Sequence, residues 1–351
     1  MLNPVATLPE CRLKSLTEPV SGRITGVFMS LLVYLHSRDG KFGRQAQELV
    51  SYGMTLSQSL ACGLVGLSPE PLGEAELKQL SRFGLSRVLC LSQCPSAHFD
   101  EQAWAAAIAE LARNEQAGLV LFPNNSRGKA LAPRVAVRLD AAIATGVCGL
   151  PVSLDPFVVK RKVFCGKADA NVRMDAAVKV LSLAPNSFEV KENPCELKIE
   201  QYTSAAFAAK TVLRERQVSM GGKLPVNEAS ILVSGGRGMK GPENWKPIEE
   251  LAGLLGAATA CSRPVTDDGW RPHDEHVGQT GKTVAPDLYI ACGISGAVQH
   301  VAGISSSKCI VAINKDPEAP IFEAAQYGVV GDVQAVLPRL IEAVKIHKSG
   351  G

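Results

Sequence analysis

Short apolar runs alternate with longer stretches of mixed polarity along most of this chain, and that alternation narrows its fold more than any other feature. The pattern predicts a strand over 31–34, a helix over 44–58, a strand over 61–67, a helix over 74–82 and a strand over 87–91. It continues with a helix over 101–114, a strand over 118–123, a helix over 128–145 and a strand near Gly149. Helices of this length between strands act as crossovers, and crossovers bring strands together in parallel. After Pro156 the pieces PFVVKRKVFCGK, NVRMDAAVKVLSLAP and CELKIEQY are short, β-rich and separated by turn residues, which predicts an antiparallel patch.

Residues 201–228 carry charges, a Gly-Gly pair and a proline with no long periodic face, so a domain boundary is expected near Val218. A second α/β unit follows. Its expected strands cover 231–234, 257–261, 288–292, 309–314 and 329–332, and its expected helices cover 245–255, 297–302, 321–327 and 333–347. At 351 residues the chain exceeds what one small core usually supports. The expected organisation is a leader over 1–28, an N-terminal α/β domain over 29–218 and a C-terminal, doubly wound parallel-sheet domain over 219–351.

Composition matters here mainly for what it excludes. A net charge of +3 from scattered basic residues gives no field that argues for nucleic acid or an anionic membrane, so any anion site must be local. Most of the ten cysteines sit in apolar runs such as RVLCLS, LYIACGI and KCIVAI, where a free thiol is a small buried hydrophobe. Cys90 and Cys94 lack the second pair or nearby histidines that a zinc site needs, and no metal is expected. No stretch offers about 18 consecutive apolar residues and no signal-peptide h-region opens the chain, so a cytoplasmic location without membrane insertion is expected.

In open parallel sheets ligands lie beyond the carboxyl ends of the strands, so the loops there carry the functional information. The run ILVSGGRGMK, residues 231–240, passes from strand into Gly235, Gly236 and Gly238, whose amides no Cβ shields, and such amides at a helix start bind anions. By letter, Gly236-x-Gly238-x-x-Gly241 also meets the dinucleotide fingerprint, but the expected acid about 20 residues on is replaced by Ser262-Arg263. That arginine would suit a 2′-phosphate, which leaves an NADP-dependent oxidoreductase domain open. The turn Val277 to Lys282 holds Gln279 and Thr280 between glycines. Gly293-Ile294-Ser295-Gly296-Ala297 resembles a nucleophile elbow, yet Ala297 replaces the last glycine and no triad partner is suggested, so phosphate binding by Ser295 is the better reading. His300, Asn314 and Asp332 complete the set of polar residues at strand ends. No strong nucleophile and no pair of acid and base carboxylates is visible, so the rim suits holding one long cofactor rather than cutting a bond.

The segments SGGRG, CSRPVTDDGW, VGQTGK, PDLYIACGISGAVQH and AINKDPEAPIF, in order between Ser234 and Asp332, resemble the alpha subunit of electron transfer flavoprotein. The stretches LLVYLHS and LVLFPNNSRGKALAPRVAVRLDA extend a looser similarity into the first half, so the resemblance covers about 29–348. It implies a nucleotide-hydrolase-like N-terminal sheet and a C-terminal domain that binds FAD, the flavin ring lying near a heterodimer interface. Residue by residue it implies that Arg237 and Arg263 lie against the flavin and that Ser262 and Ser295, the latter between Gly293 and Gly296, reach the pyrophosphate. Thr280 beside Gln279 would face flavin N5, His300 the O2 side, and Asn314 with Asp332 the adenosine end. The resemblance also implies a beta subunit carrying AMP, donor dehydrogenases such as the acyl-CoA dehydrogenases of fatty acid β-oxidation, and a quinone reductase as acceptor. It makes the chain an electron carrier rather than a substrate-converting enzyme. One departure stands out: the polar run Arg271-Pro272-His273-Asp274-Glu275-His276 beside the expected flavin loop.

Overall fold

The computed structural model describes residues 30–38, 40–70, 72–92, 98–166, 168–203, 209–215 and 224–349. The expected leader over 1–28 and the boundary placed near Val218 lie outside the described residues.

The first half runs through β1 (Ser30–Tyr34), β2 (Ser37–Arg38), β3 (Lys41–Phe42), α1 (Arg44–Leu60), β4 (Gly63–Ser68), α2 (Glu74–Ser81), β5 (Arg87–Leu91), α3 (Glu101–Asn114), β6 (Ala117–Pro123), α4 (Ser126–Leu139) and β7 (Ala142–Val147). It ends with β8 (Ser153–Leu154), β9 (Phe157–Val163), β10 (Ala168–Arg173), β11 (Lys179–Leu183) and β12 (Lys198–Tyr202). The main sheet has the order β10-β9-β7-β11-β6-β1-β4-β5-β12, with β8 on β9. Every residue of β1 is buried because helices cover both faces of the sheet, as a parallel arrangement requires. Leu31 and Val33 join Leu49 and Val50 of α1 on one face, and Leu32 and Tyr34 join Ile108 of α3 and Leu131 of α4 on the other. Each such fully buried aliphatic side chain contributes about 1.5–3 kcal/mol.

Two readings of the first half need correction. The helix expected over 128–145 ends at Leu139, because Asp140 adopts φ +50° and its N–H turns back to Ala136 O and Val137 O. The chain then enters β7, so 142–145 are strand. The antiparallel patch is also smaller than expected. It consists of β8, β9 and β10, joined to the rest of the sheet by an antiparallel contact of β9 with β7, while β11 inserts in parallel between β6 and β7, and β12 pairs in parallel with β5. All five residues of β11 are buried, which suits a central parallel strand, but its partners are distant in sequence.

The second half comprises β13 (Ile231–Gly235), α5 (Lys246–Leu255), β14 (Ala258–Cys261), α6 (Arg263–Asp267), β15 (Leu288–Cys292), α7 (Val298–Ile304), β16 (Cys309–Asn314), α8 (Ile321–Ala324), β17 (Tyr327–Val330) and α9 (Val333–Ser349). Its sheet runs β14-β13-β15-β16-β17, and each neighbouring pair is parallel. One core holds Leu232, Tyr289 and Ile310 beneath α7 and α8. The other holds Val233, Ile290 and Ile313 beneath α5 and α9. Helix α8 is shorter than expected, and Tyr327 belongs to β17.

A polar seam joins the two halves. Arg44, at the start of α1, donates to Asp287 Oδ2 at 2.5 Å and to Ser230 Oγ at 2.9 Å. Asn186 Nδ2 donates to Asp287 Oδ1 at 3.1 Å and to Ala285 O at 3.0 Å, and Lys308 lies 3.0 Å from the same carboxylate. The buried Glu48 of α1 accepts the backbone N–H groups of Asn186, Ser187 and Phe188, which fixes the loop that presents Asn186. Burial opposes ionisation of Asp287, but the hydrogen bonds from Lys308, Asn186 and Arg44 outweigh it and hold the carboxyl down to about 2. Stability from such a group is present above its unfolded value and is lost as pH falls through the folded one. Asp287→Asn should therefore lower stability at neutral pH by on the order of 1 kcal/mol, after discounting for solvent screening at this half-open site. The deficit should narrow below about pH 4 and close near pH 2; urea midpoints of both proteins across that range measure it.

Candidate functional site

Because the five strands of the C-terminal sheet are parallel, the loops that leave β13 to β17 open on one edge. In chain order the sheet reads 2-1-3-4-5, so the strand order reverses between β13 and β15, where ligands of such sheets bind. The two loops at that point are Gly236–Gly238 and Gly293–Ala297.

These loops are locked together by backbone contacts. Gly236 N–H donates to Cys292 O at 2.9 Å, Gly238 N–H donates to Gly293 O at 3.0 Å, and Gly293 N–H donates to Ile313 O at 2.8 Å. A Cβ on Gly236 would stand 2.3 Å from Gly293 O, and one on Gly238 would stand 2.7 Å from Gly293 Cα. The amides of both glycines are thus engaged by the neighbouring loop, and the residues lack a side chain because backbone meets backbone there. The expectation that these amides open a helix is overturned. Arg237–Met239 and Pro242–Trp245 form 3-10 turns, Lys240 adopts φ +69°, and α5 begins only at Lys246. The dinucleotide fingerprint is present in letters but lacks its strand-to-helix turn.

Around this centre the remaining expected residues take separate duties. Ser262 is buried and precedes α6, yet its side chain makes no cap hydrogen bond. The exposed Arg263 donates to Asp267 Oδ2 at 3.3 Å and to Thr280 Oγ1 at 3.5 Å, so the loop after β14 reaches the turn that carries Gln279 and Thr280. That turn is closed by Gly278 N–H to Lys282 O and Gly281 N–H to Gly278 O, both 3.1 Å, and it is tied to α7 by Gln279 N–H to Gln299 O at 2.8 Å. Arg237, Gln279, Thr280 and Ser295 are exposed at the rim. Gly293 and Gly296 have φ of +64° and +85°, and Ser295 O between them accepts Ile321 N–H at 3.0 Å.

Asn314 and Asp332 are committed to the protein itself. Asn314 Nδ2 donates to Ile294 O at 2.8 Å while its Oδ1 accepts Asp316 N–H at 3.0 Å, which braces the Gly293–Ala297 loop. Asp332 caps α9 through Gln334 N–H at 3.0 Å and pairs with Lys240 at 2.8 Å, and this Lys240 contact, with the cap, keeps its carboxyl below the usual carboxylate range. Neither role was legible in the sequence, since each needs a partner from a different strand end.

The floor of the site is neutral. Burial pushes the thiols of Cys261 and Cys292 up to about 12, so neither is a thiolate nucleophile. His300 is buried, its Nε2 lies 3.0 Å from Tyr289 Oη, and burial pushes its pKa down to about 4. A base in that state, already bonded to a tyrosine, does not activate Ser295, and the elbow reading has no support from geometry. A second buried histidine, His276, lies directly under the Gly278–Gly281 turn. The sequence flagged only the polarity of its segment; a histidine followed by two closely spaced glycines was the available signal.

Comparison with known proteins follows the same division of the chain. A family model described as "Electron transfer flavoprotein domain" matches residues 31–210, and one described as "Electron transfer flavoprotein FAD-binding domain" matches 225–305. All the expected site residues but Asn314 and Asp332 fall in the second range. "Electron transfer flavoprotein subunit alpha" of Pseudomonas aeruginosa is 38% identical over 317 residues, covering 90% of this chain and 100% of that protein. The proteins of the same name from Syntrophomonas wolfei and Bacillus subtilis are each 34% identical, covering 89% and 88% of this chain and 98% and 95% of their own lengths.

The loop-on-loop contact predicts a contrast between two glycines. Gly236→Ala should cost about 1–3 kcal/mol in a urea titration, because its Cβ has no room beside Gly293 O. Gly253→Ala, on the open face of α5, should be neutral or stabilising by up to about 1 kcal/mol.

Proposed function

Since the chain belongs to the electron transfer flavoprotein alpha-subunit family, a family of electron-transport flavoproteins, we propose that it binds FAD where β13 and β15 diverge and works as one half of an alpha/beta carrier. The observation that carries this reading is the rim itself: exposed cations and hydroxyls from successive parallel strand ends, over a floor whose titratable groups are neutral. That donor set fits a long anionic cofactor with an electron-rich ring. Two details favour the fit. Ser262 keeps a hydroxyl free of any helix cap, and Arg237 makes no ion pair among the described residues.

Bound flavin would supply the redox chemistry, taking reducing equivalents from a dehydrogenase and passing them to an acceptor. The protein's own part is binding and tuning. In this reading Arg237 and Arg263 lie against the flavin, Ser262 and Ser295 meet the pyrophosphate, and Gln279 with Thr280 face N5. Gly293 and Gly296 shape the loop that presents Ser295. Asn314 and Asp332 serve the adenosine end through backbone groups they brace, because their side chains already bond Ile294 O, Asp316 N–H, Lys240 and Gln334 N–H. His300 on the O2 side is uncharged, and Tyr289, whose phenol burial keeps protonated, fixes its ring. A neutral donor of this kind favours the reduced ring less than a full cation, which leaves Arg237 and Arg263 as the electrostatic levers.

The partners in this proposal are a beta subunit carrying AMP, donors of the acyl-CoA dehydrogenase type in fatty acid β-oxidation, and a quinone reductase as acceptor. The cytoplasm is the expected compartment, in keeping with free thiols at the seven cysteines whose side chains are described. Among the described residues no helix is long and apolar enough to cross a membrane.

Co-expression with the beta subunit should yield a yellow pair, and chromatography of the released cofactor should identify FAD; a colourless pair that binds NADPH tightly would overturn the proposal. Arg263→Lys keeps the charge but loses the planar fork, so it should weaken FAD binding about tenfold and lower the flavin potential. Titration with redox dyes decides the second point, and an unchanged potential removes Arg263 from the flavin.

A further inference from the structure

The polar run 271–276 delivers His276 to the underside of the Gly278–Gly281 turn. His276 is 3% exposed, and its Nδ1 is sealed from solvent without a hydrogen-bond partner. The residue is bridged to Cys261 at the end of β14, Val277 N–H donates to Cys261 O at 3.0 Å, and Lys282 N–H donates to His276 O at 2.9 Å. The backbone on either side of the ring is therefore fixed.

Above the imidazole sits the turn that carries Gln279 and Thr280. A Cβ on Gly281 would stand 2.7 Å from His276 Nδ1, and one on Gly278 would stand 3.5 Å from its Nε2. The two glycines thus let the turn rest directly on the ring. On its other side the turn meets α7, where a Cβ on Gly303 would be 2.5 Å from Gly278 Cα and Gln299 O holds Gln279 N–H. With α7 behind it and the imidazole under it, the turn has one free direction, outward to the rim. An unpartnered buried nitrogen is costly to the fold.

We propose that His276 is the positioning residue of this turn: its neutral imidazole sets the height at which Gln279 and Thr280 are presented, and its protonation displaces them. The inference rests on the FAD reading above, which makes that turn the one facing the flavin.

The charged and titratable groups around the ring all bear on its proton. Burial comes first in holding the pKa of His276 below the ordinary histidine value, followed by the neighbouring His273 and Arg263, with Asp267 opposing them weakly. His273 lies on the same segment, with ring centroids 6.0 Å apart, and Arg263 and Asp267 come from α6. His300 approaches from α7 and is itself neutral, and Cys261 of β14 keeps its proton. Lys282 is held by Asp274, donating to its backbone O at 2.7 Å, and Glu275 is paired with Arg271 at 2.6 Å. The surroundings disfavour a cation where the ring now sits. With the turn displaced the ring reaches water and regains an ordinary pKa, so the closed turn is fully favoured above about pH 6.5 and loses ground as pH falls below it.

The test uses the full chain paired with its beta subunit, FAD as the probe, and fluorescence to read its dissociation constant from about pH 7.5 to pH 5.5. In the wild type the constant should rise at least about threefold over that range, within the tenfold per unit that one proton allows. His276→Asn, which keeps an amide near the Nδ1 position but does not titrate, should bind more weakly at neutral pH and lose the slope. His273→Asn should retain the wild-type slope. A slope equal in wild type and His276→Asn, or a flat wild type, overturns the inference and leaves the FAD reading standing. A wild-type pair that binds no FAD at neutral pH overturns the FAD reading and this inference with it. Hydrogen exchange of the wild-type pair covers the case of a variant that does not fold. After correction for intrinsic rates, the amides of Gly278 and Gly281 should lose protection on acidification while Val277 and Lys282 keep it; uniform protection at both pH values also overturns the proposal.

Discussion

Everything in the C-terminal half that concerns a ligand depends on the backbone contact between the loops after β13 and β15. Gly236 and Gly238 approach Gly293 so closely that no side chain fits between them, and each uses its amide on the partner loop. Two strand ends that would otherwise splay at the reversal of strand order are thereby held as one surface. Asn314 extends the same device to the third loop by holding Ile294 O. The polar rim is continuous because its loops are bonded to one another beneath the exposed side chains, which keeps those side chains available.

Much of this was legible in the sequence, and the divisions between what was and was not are physical. The strands β5, β15 and β16 and the helix α3 match the expected spans because local apolar pattern and capping decide them; Asp100, for example, accepts Gln102 N–H and Ala103 N–H at the start of α3. The family resemblance also held, and with it the fold class. What the pattern could not show was pairing over distance. The placement of β11 between β6 and β7 depends on strands far away in sequence, and the seam between Arg44 and Asp287 spans 243 residues. The glycine run was legible as a place of close approach, but the letters did not say to what. They fit a phosphate at a helix start equally well until Pro242, Pro247 and the left-handed Lys240 are seen to delay the helix.

The separation of charge from the floor explains why the site reads as a holder. Cys261, Cys292, Tyr289 and His300 are all groups that carry chemistry in other proteins, and burial keeps each of them neutral here. The cations Arg237 and Arg263 instead stand in solvent at the rim. A site built this way gains its electrostatic energy only when something anionic covers it, because charges screened by water interact weakly until water is displaced.

The two ends of β15 connect this site to the rest of the molecule. At its carboxyl end, Cys292 O and Gly293 hold the glycine loop; just before its amino end, Asp287 is held by Arg44 and Asn186 of the first half and by Lys308. The strand between them, Leu288–Cys292, is only five residues, is hydrogen-bonded on both sides and is buried at Tyr289, Ile290, Ala291 and Cys292. The strand is thus pinned on both flanks along its whole length. The first half thus meets the chain just before the central strand, through Arg44 and Asn186. A carboxylate serves that contact well, because its two oxygens meet donors from three directions at once, and Glu48, one turn along α1 from Arg44, repeats the arrangement with three backbone amides.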